Sequence, residues 1–150
     1  EREEYFLFSD VISTATKGYF FRVNEVDPEF ESIEDFRDRK VTAVRGYGVQ
    51  MALENRDIEH IAVRSDNIAF NLLTAARVDF FYGTKEGNSY IAKQMGINER
   101  LEFHSFTSKN YHLCVSKKWP RSKELLNLFN SALSKLKADG TYKEIHDRYQ

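Results

Sequence analysis

The chain predicts an α/β protein, a sheet with helices packed on its faces. Short runs rich in β-branched and aromatic residues alternate with stretches of helical periodicity along its length. Glycines and capping residues punctuate that alternation. The closing stretch reads as two helices joined at a glycine.

Taken in order, Tyr19 to Val23 predicts a strand. Ser32 and Asp35 in "SIEDF" have the spacing of a capping box and start a short helix. "VTAV" (Val41 to Val44) is an apolar strand that runs into "RGYG", and a helix follows from about Val49 to Asn55. "IAV" (Ile61 to Val63) is the next strand, with Asp66 as N-cap of a helix carrying Phe70, Leu73 and Arg77. "VDFFY" (Val78 to Tyr82) is a strand broken by Gly83, and the helix from about Glu86 stops at Gly96. Leu101 to Phe106 and Tyr111 to Ser116 predict two further strands. Ser122 caps a helix whose Leu125, Leu126, Phe129, Leu133 and Leu136 recur at helical spacing. Gly140 supplies the left-handed C′ residue. Thr141 and Glu144 then start a final helix with Tyr142, Ile145 and Tyr149 along one stripe.

Composition narrows the function classes. The 150 residues are 41% hydrophobic and 30% charged, which suits a folded domain with a real core. Lys and Arg number 22 against 23 Asp and Glu, so no electrostatic argument favours nucleic acid. The 12 Phe and 8 Tyr point to an aromatic core more than to an aromatic-lined cleft. Cys114, the lone cysteine, lies in the apolar run "YHLCVS" and reads as a small buried hydrophobe. It excludes an intrachain disulfide. No apolar run approaches the ~18 residues of a membrane span.

Signs of catalysis or cofactor binding are weak. His60, His104, His112 and His146 lack metal-ligand spacing, no nucleophile-elbow motif occurs, and no cofactor is expected. The S-x-x-K at Ser134 to Lys137 falls inside the amphipathic helix, where coincidence explains it. "KKWPR" (Lys117 to Arg121) is a short basic turn carrying Trp119, a solvated loop or a point of partner contact.

Four passages in order carry a resemblance. "FNSALSKLKADGTYKEIHDRY" is similar to the closing signature "dGTY.kI..KY" of the bacterial extracellular (periplasmic) solute-binding proteins of family 3, the amino-acid ABC-transporter type. "EREEYFLFSD" resembles that family's "T..R...v.FSdP". "FESIEDFRDRKVTAVRGYG" resembles "i.s.eDLkGkkvgv..Gs", and "LLTAARVDFFYGT" resembles "al..GrvDavv.D". The order and spacing match over essentially the whole chain.

The resemblance implies a periplasmic-binding-protein-like II fold of two lobes, with mixed β-sheets flanked by helices. Residues 1 to about 13 would end the first lobe, 14 to 108 would form the second, and 109 to 150 would return to the first. The opening β–α units of the first lobe would lie outside the chain. The implied activity is capture of a small carboxylate-bearing solute, such as an amino acid, in an interlobe cleft. A transporter permease would read that capture from the periplasmic side. A ligand-sensing receptor domain and a small-acid lyase on the same fold are the alternatives, and the reading chosen is a binder, not an enzyme.

Residue by residue, Arg2 aligns with the family's carboxylate-holding arginine, whose planar fork suits bidentate pairing. Tyr47 and Gly48 occupy the loop where the family offers Ser or Thr hydroxyls. Thr84 stands where an acidic residue usually meets the α-ammonium, and it brings no charge. Glu86 is either a substitute for that acid or an exposed loop glutamate. Asp79 reads as a strand-edge structural residue, and Ser9 and Asp10 as shaping the crossing between lobes.

Overall fold

A computed structural model describes residues 2–25 and 28–148, the side chain of Arg2 excepted. The elements run α1 (Arg2–Tyr5), β1 (Phe6–Phe8), β2 (Ser13–Arg22), a 3-10 turn (Ile33–Phe36), β3 (Val41–Val44), α2 (Gly48–Glu54) and β4 (Ile61–Val63). They continue with α3 (Asp66–Thr74), β5 (Phe80–Thr84), α4 (Lys85–Gln94), a second 3-10 turn (Asn98–Arg100) and β6 (Leu101–Tyr111). β7 (Cys114–Ser116), α5 (Ser122–Ala138) and α6 (Thr141–Arg148) complete the chain. It divides into two compact units, Glu1–Ala15 with Lys109–Gln150, and Thr16–Ser108.

The central unit, Thr16–Ser108, is built on a five-stranded sheet of order β4-β3-β5-β2-β6. β3 runs parallel to both β4 and β5, and β2 runs antiparallel to β5. The Thr16 and Ser108 hydroxyls lie 3.0 Å apart, and Val23 N–H donates to the Arg100 carbonyl at 3.0 Å, so β6 runs antiparallel to β2.

Side-chain alternation sends these strands' apolar residues to both faces. Tyr19, Phe21, Val41, Ala43, Phe80 and Tyr82 form one core with Val49 and Leu53 of α2 and with Phe36 of the 3-10 turn. Phe20, Val44, Val63 and Phe81 form the other, with Ala69, Phe70 and Leu73 of α3 and Ala92 of α4. Full burial of each such aromatic contributes roughly 2–3 kcal/mol. Most of the Phe residues are therefore spent on packing.

Three helices of this unit end alike. Ile58, Arg77 and Ile97 donate to the carbonyls of Leu53, Leu72 and Ala92, five residues back in each case. The residue before each donor is left-handed: Asp57 (φ 52°), Ala76 (φ 55°) and Gly96 (φ 67°). This cap stops α3 at Thr74 and puts Arg77 beyond it, where the periodicity had extended the helix. Ser65, not Asp66, caps α3, its hydroxyl accepting from Ile68 N–H at 3.4 Å.

Gly83 does not break its strand. It pairs with Gly18 across β2 and β5, and β5 continues to Thr84. Space there is tight: a Cβ would lie 2.2 Å from the Asn88 amide nitrogen, so that side chain would have to move. The strand expected at Leu101 to Phe106 continues through Tyr111, and β7 starts afresh at Cys114.

In the other unit, β1 and β7 pair antiparallel, with Phe6, Leu7 and Phe8 opposite Ser116, Val115 and Cys114. Val115 is buried while Cys114, one residue back and on the opposite face, is exposed. The expectation of a buried cysteine fails because this two-stranded ribbon covers only one of its faces. Ser9 is buried and ties the strand ends: its hydroxyl accepts from Leu113 N–H at 2.9 Å and donates to the Asp10 carbonyl at 2.7 Å. Asp10 is exposed, and its N–H donates to Asn130 Oδ1 at 3.0 Å.

Arg121, left-handed at φ 65°, precedes α5, so Ser122 is its first residue and not its cap. Gly140 takes φ 87° between α5 and α6, where the sequence calls for a left-handed residue. Tyr142 on α6 donates its hydroxyl to the Ile12 carbonyl. Tyr149 lies outside the described residues.

Candidate ligand-binding site

Parallel strands direct their carboxyl ends to one edge of a sheet, and loops there are the usual place for ligands in α/β folds. In the central unit β3 and β5 are adjacent and parallel, in the register Val41–Phe80 and Thr42–Phe81. The turn after β3 and the end of β5 therefore share one edge. That edge carries Tyr47 and Gly48 from the first and Thr84 from the second.

Gly46 opens the turn at φ 80°, a conformation glycine adopts without a steric penalty. Tyr47 N–H then donates to the Val44 carbonyl at 3.2 Å, and Tyr47 itself stands in extended conformation before α2. Its side chain is 53% exposed, although it is a large aromatic. A Cβ at Gly48 would meet nothing within 4 Å, so the backbone beside Tyr47 is open to approach.

One buried amide holds this turn. Gln50 is only 2% exposed, and its Oε1 accepts from Gly46 N–H at 3.1 Å. Its Nε2 lies 3.1 Å from His60 Nε2, and His60 Nδ1 lies 2.8 Å from the Ile58 carbonyl. Gln50 is not among the residues that the sequence motifs point to. Its signal is a polar residue on the inward face of α2, between Val49 and Leu53, which a core position tolerates only with partners.

Thr84 is the half-buried residue before α4, its side chain making no cap hydrogen bond. Glu86 is neither an exposed loop residue nor free: it sits half-buried in the first turn of α4. Its two carboxylate oxygens take the Thr16 N–H at 3.1 and 3.0 Å. That contact engages Glu86 with β2 and leaves the uncharged Thr84 as the residue at the end of β5.

Asp66 begins α3, just past the carboxyl end of β4, and its Oδ1 is buried with no hydrogen-bond partner. Partial burial pushes its carboxyl above the ordinary value, against the lowering effect of its own backbone hydrogen bond. Asp79 lies before β5, 3.7 Å from the Arg22 guanidinium, with its N–H on the Lys40 carbonyl. The Arg2 side chain lies outside the described residues. Trp119 is 63% exposed beside Pro120, Leu125 and Leu128.

Among the described residues no cluster of three His, Cys, Asp or Glu is placed to hold a metal ion. None of their helices is long and apolar enough to cross a membrane.

Comparison with solved structures places the fold. An ancestral cationic amino acid solute binding protein superposes with a TM-score of 0.76 at 23% identity, over 99% of this chain and 63% of that one. The GluR0 ligand-binding core from Nostoc punctiforme, solved with L-glutamate, gives 0.71 at 22% identity, over 99% and 66%. A histidine kinase sensor domain with similarity to periplasmic binding proteins gives 0.69 at 21% identity, over 97% and 63%. The chain thus spans slightly under two thirds of each. No curated protein sequence matches it. The family model of the bacterial extracellular solute-binding proteins, family 3, matches residues 1–150, and the chain belongs to that family.

Proposed function

We propose that this chain captures a small carboxylate-bearing solute such as an amino acid, as part of a solute-binding domain that serves an ABC-type transporter. The observation that carries the reading is the open edge of the central sheet. There an exposed Tyr47 stands beside an unobstructed Gly48 at the head of α2, in a chain that matches a solute-binding family throughout. Tyr47 supplies a ring on which a ligand stacks, Gly48 lets backbone approach it, and Thr84 supplies a hydroxyl. Arg2 completes the reading as the partner of the carboxylate. With Thr84 uncharged and Glu86 held by Thr16, the site offers little compensation for a buried ammonium. Solutes whose amino group stays in solvent, or that lack one, suit it best.

Location at the periplasmic face, a permease as the reader of the bound state, and catalytic inactivity belong to the same proposal. A second reading, a receptor's ligand-sensing domain, draws on the likeness to the histidine kinase sensor domain.

The test is a thermal-shift and calorimetric panel of the L-amino acids and small mono- and dicarboxylates on the full protein. A ligand at a hundred times its Kd should add about 2.7 kcal/mol of stability. Arg2→Ala should abolish binding of the hit, and Tyr47→Ala should weaken it. A panel with no hit, or a hit indifferent to both substitutions, overturns the assignment. Cross-linking in native membranes separates the two readers: a permease supports transport, continuity with a kinase supports sensing.

A further inference from the structure

The Gly46–Gly48 turn hangs on a relay of defined polarity. The Ile58 carbonyl only accepts, so His60 Nδ1, 2.8 Å away, carries the ring proton of the neutral imidazole. His60 Nε2 is then a lone pair and accepts from the Gln50 amide at 3.1 Å. That fixes the Gln50 rotamer with its NH2 towards His60 and its oxygen towards Gly46, whose N–H it accepts at 3.1 Å. Every step of the relay agrees with the next, and the amide in the middle is buried, out of reach of replacement by water.

We propose that Gln50, oriented by His60, is the positioning residue of the Gly46–Gly48 turn, so that protonating His60 unlocks the turn and weakens solute capture. The proposal rests on the reading of Tyr47 and Gly48 as solute contacts. Protonation puts an N–H on His60 Nε2, facing the Gln50 NH2. Two donors then oppose each other. Gln50 relieves this by turning its amide over, which brings the NH2 against the Gly46 N–H and breaks that bond instead. Either way one buried donor of the relay is left without an acceptor.

His60 is half-buried and lines a surface groove, so protons reach it. The charged groups sharing that groove are Arg37, Asp38, Arg39 and Lys40 from the segment before β3. Asp57 and Glu59 come from the loop that carries His60, and Arg77 from the end of α3.

The experiment follows backbone amides and the His60 ring by NMR from pH 8 to 5, with the Kd of the tightest binder among the L-amino acids and small mono- and dicarboxylates measured alongside. In the wild type the Gly46 amide should shift with the midpoint of His60, and affinity should fall about tenfold on acidification. Gln50→Ala should uncouple Gly46 from His60. His60→Gln keeps an acceptor for Gln50 without a titrating proton, so its affinity should match the wild type at pH 8 and stay flat below. A Gly46 amide unmoved across the His60 titration, or one that still follows it in Gln50→Ala, overturns the relay. If Gly46 follows His60 but no L-amino acid and no small mono- or dicarboxylate binds, the relay stands and the solute reading falls.

Discussion

The two units of this chain use the same kind of sequence pattern with opposite outcomes. In Thr16–Ser108 the apolar residues of β2, β3 and β5 are buried on both faces of a five-stranded sheet, beneath α2 on one side and α3 and α4 on the other. In the other unit α5 has an apolar stripe just as regular, yet only Leu133 of that stripe is buried, at 6% exposure. Leu126 and Phe129 are half-buried, and Leu125 and Leu136 are exposed. Periodicity states that a helix has an apolar face. Burial needs a surface opposite that face, and the two-stranded β1–β7 ribbon covers little of it. Stability should follow this contrast, concentrated in the central unit.

The sharpest way to break the contrast is a pair of truncations. Phe36 lies 5.4–5.9 Å, between ring centroids, from Tyr19, Phe30, Phe80, Tyr82 and Phe106. Phe36→Ala should cost about 3–5 kcal/mol in urea unfolding. Leu128→Ala, at 63% exposure, should cost no more than about 0.5 kcal/mol. Equal costs would remove the distinction between the units.

A second test adds volume. A Cβ at Gly18 would stand 2.0 Å from the His104 carbonyl oxygen, which is backbone and cannot swing away. Gly18→Ala should cost about 1–3 kcal/mol by forcing β2 from β6. Gly87→Ala, with open space around its Cβ, should be neutral or slightly stabilising in the helix. A harmless Gly18→Ala would show that the strands separate without cost.

The smallest effect belongs to Asp66. Burial raises its folded-state pKa above the ordinary 3.8, so its charged form costs stability. That cost is absent below the unfolded value and complete above the folded one. Asp66→Asn should therefore raise stability at pH 7, by less than about 1 kcal/mol because the group is only half-buried and solvent screens its charge, and change nothing at pH 3. A loss at pH 7 would mean that the favourable interaction of its charge with the start of α3 outweighs the burial.

Much of the fold was legible in the sequence. The β–α alternation, the strands at Val41–Val44 and Ile61–Val63, and the left-handed Gly140 follow from local composition and turn chemistry. The misplaced details share a cause. Asp57 and Ala76 take the same left-handed cap as Gly96, but only the glycine announces it, because the other two are held there by hydrogen bonds to carbonyls one helix turn away. Gly83 looked like a breaker because local rules do not register that Gly18 faces it and Asn88 fills its space.

The candidate site divides in the same way. Tyr47, Gly48 and Thr84 were nameable from motif positions, and Gln50, His60 and the Glu86–Thr16 contact were not. Those three depend on residues from different segments meeting at hydrogen-bond distance, which no local spacing encodes.

By itself, then, the sequence determined element type, the two faces of each strand, and the family likeness. These are properties of short stretches, set by side-chain periodicity and backbone preference. Tertiary structure decided which apolar faces are covered, where three helices stop, that Glu86 is committed to Thr16, and that a buried amide fixes the turn at Tyr47. Burial and hydrogen bonding are pairwise, and the partner in each case lies elsewhere in the chain.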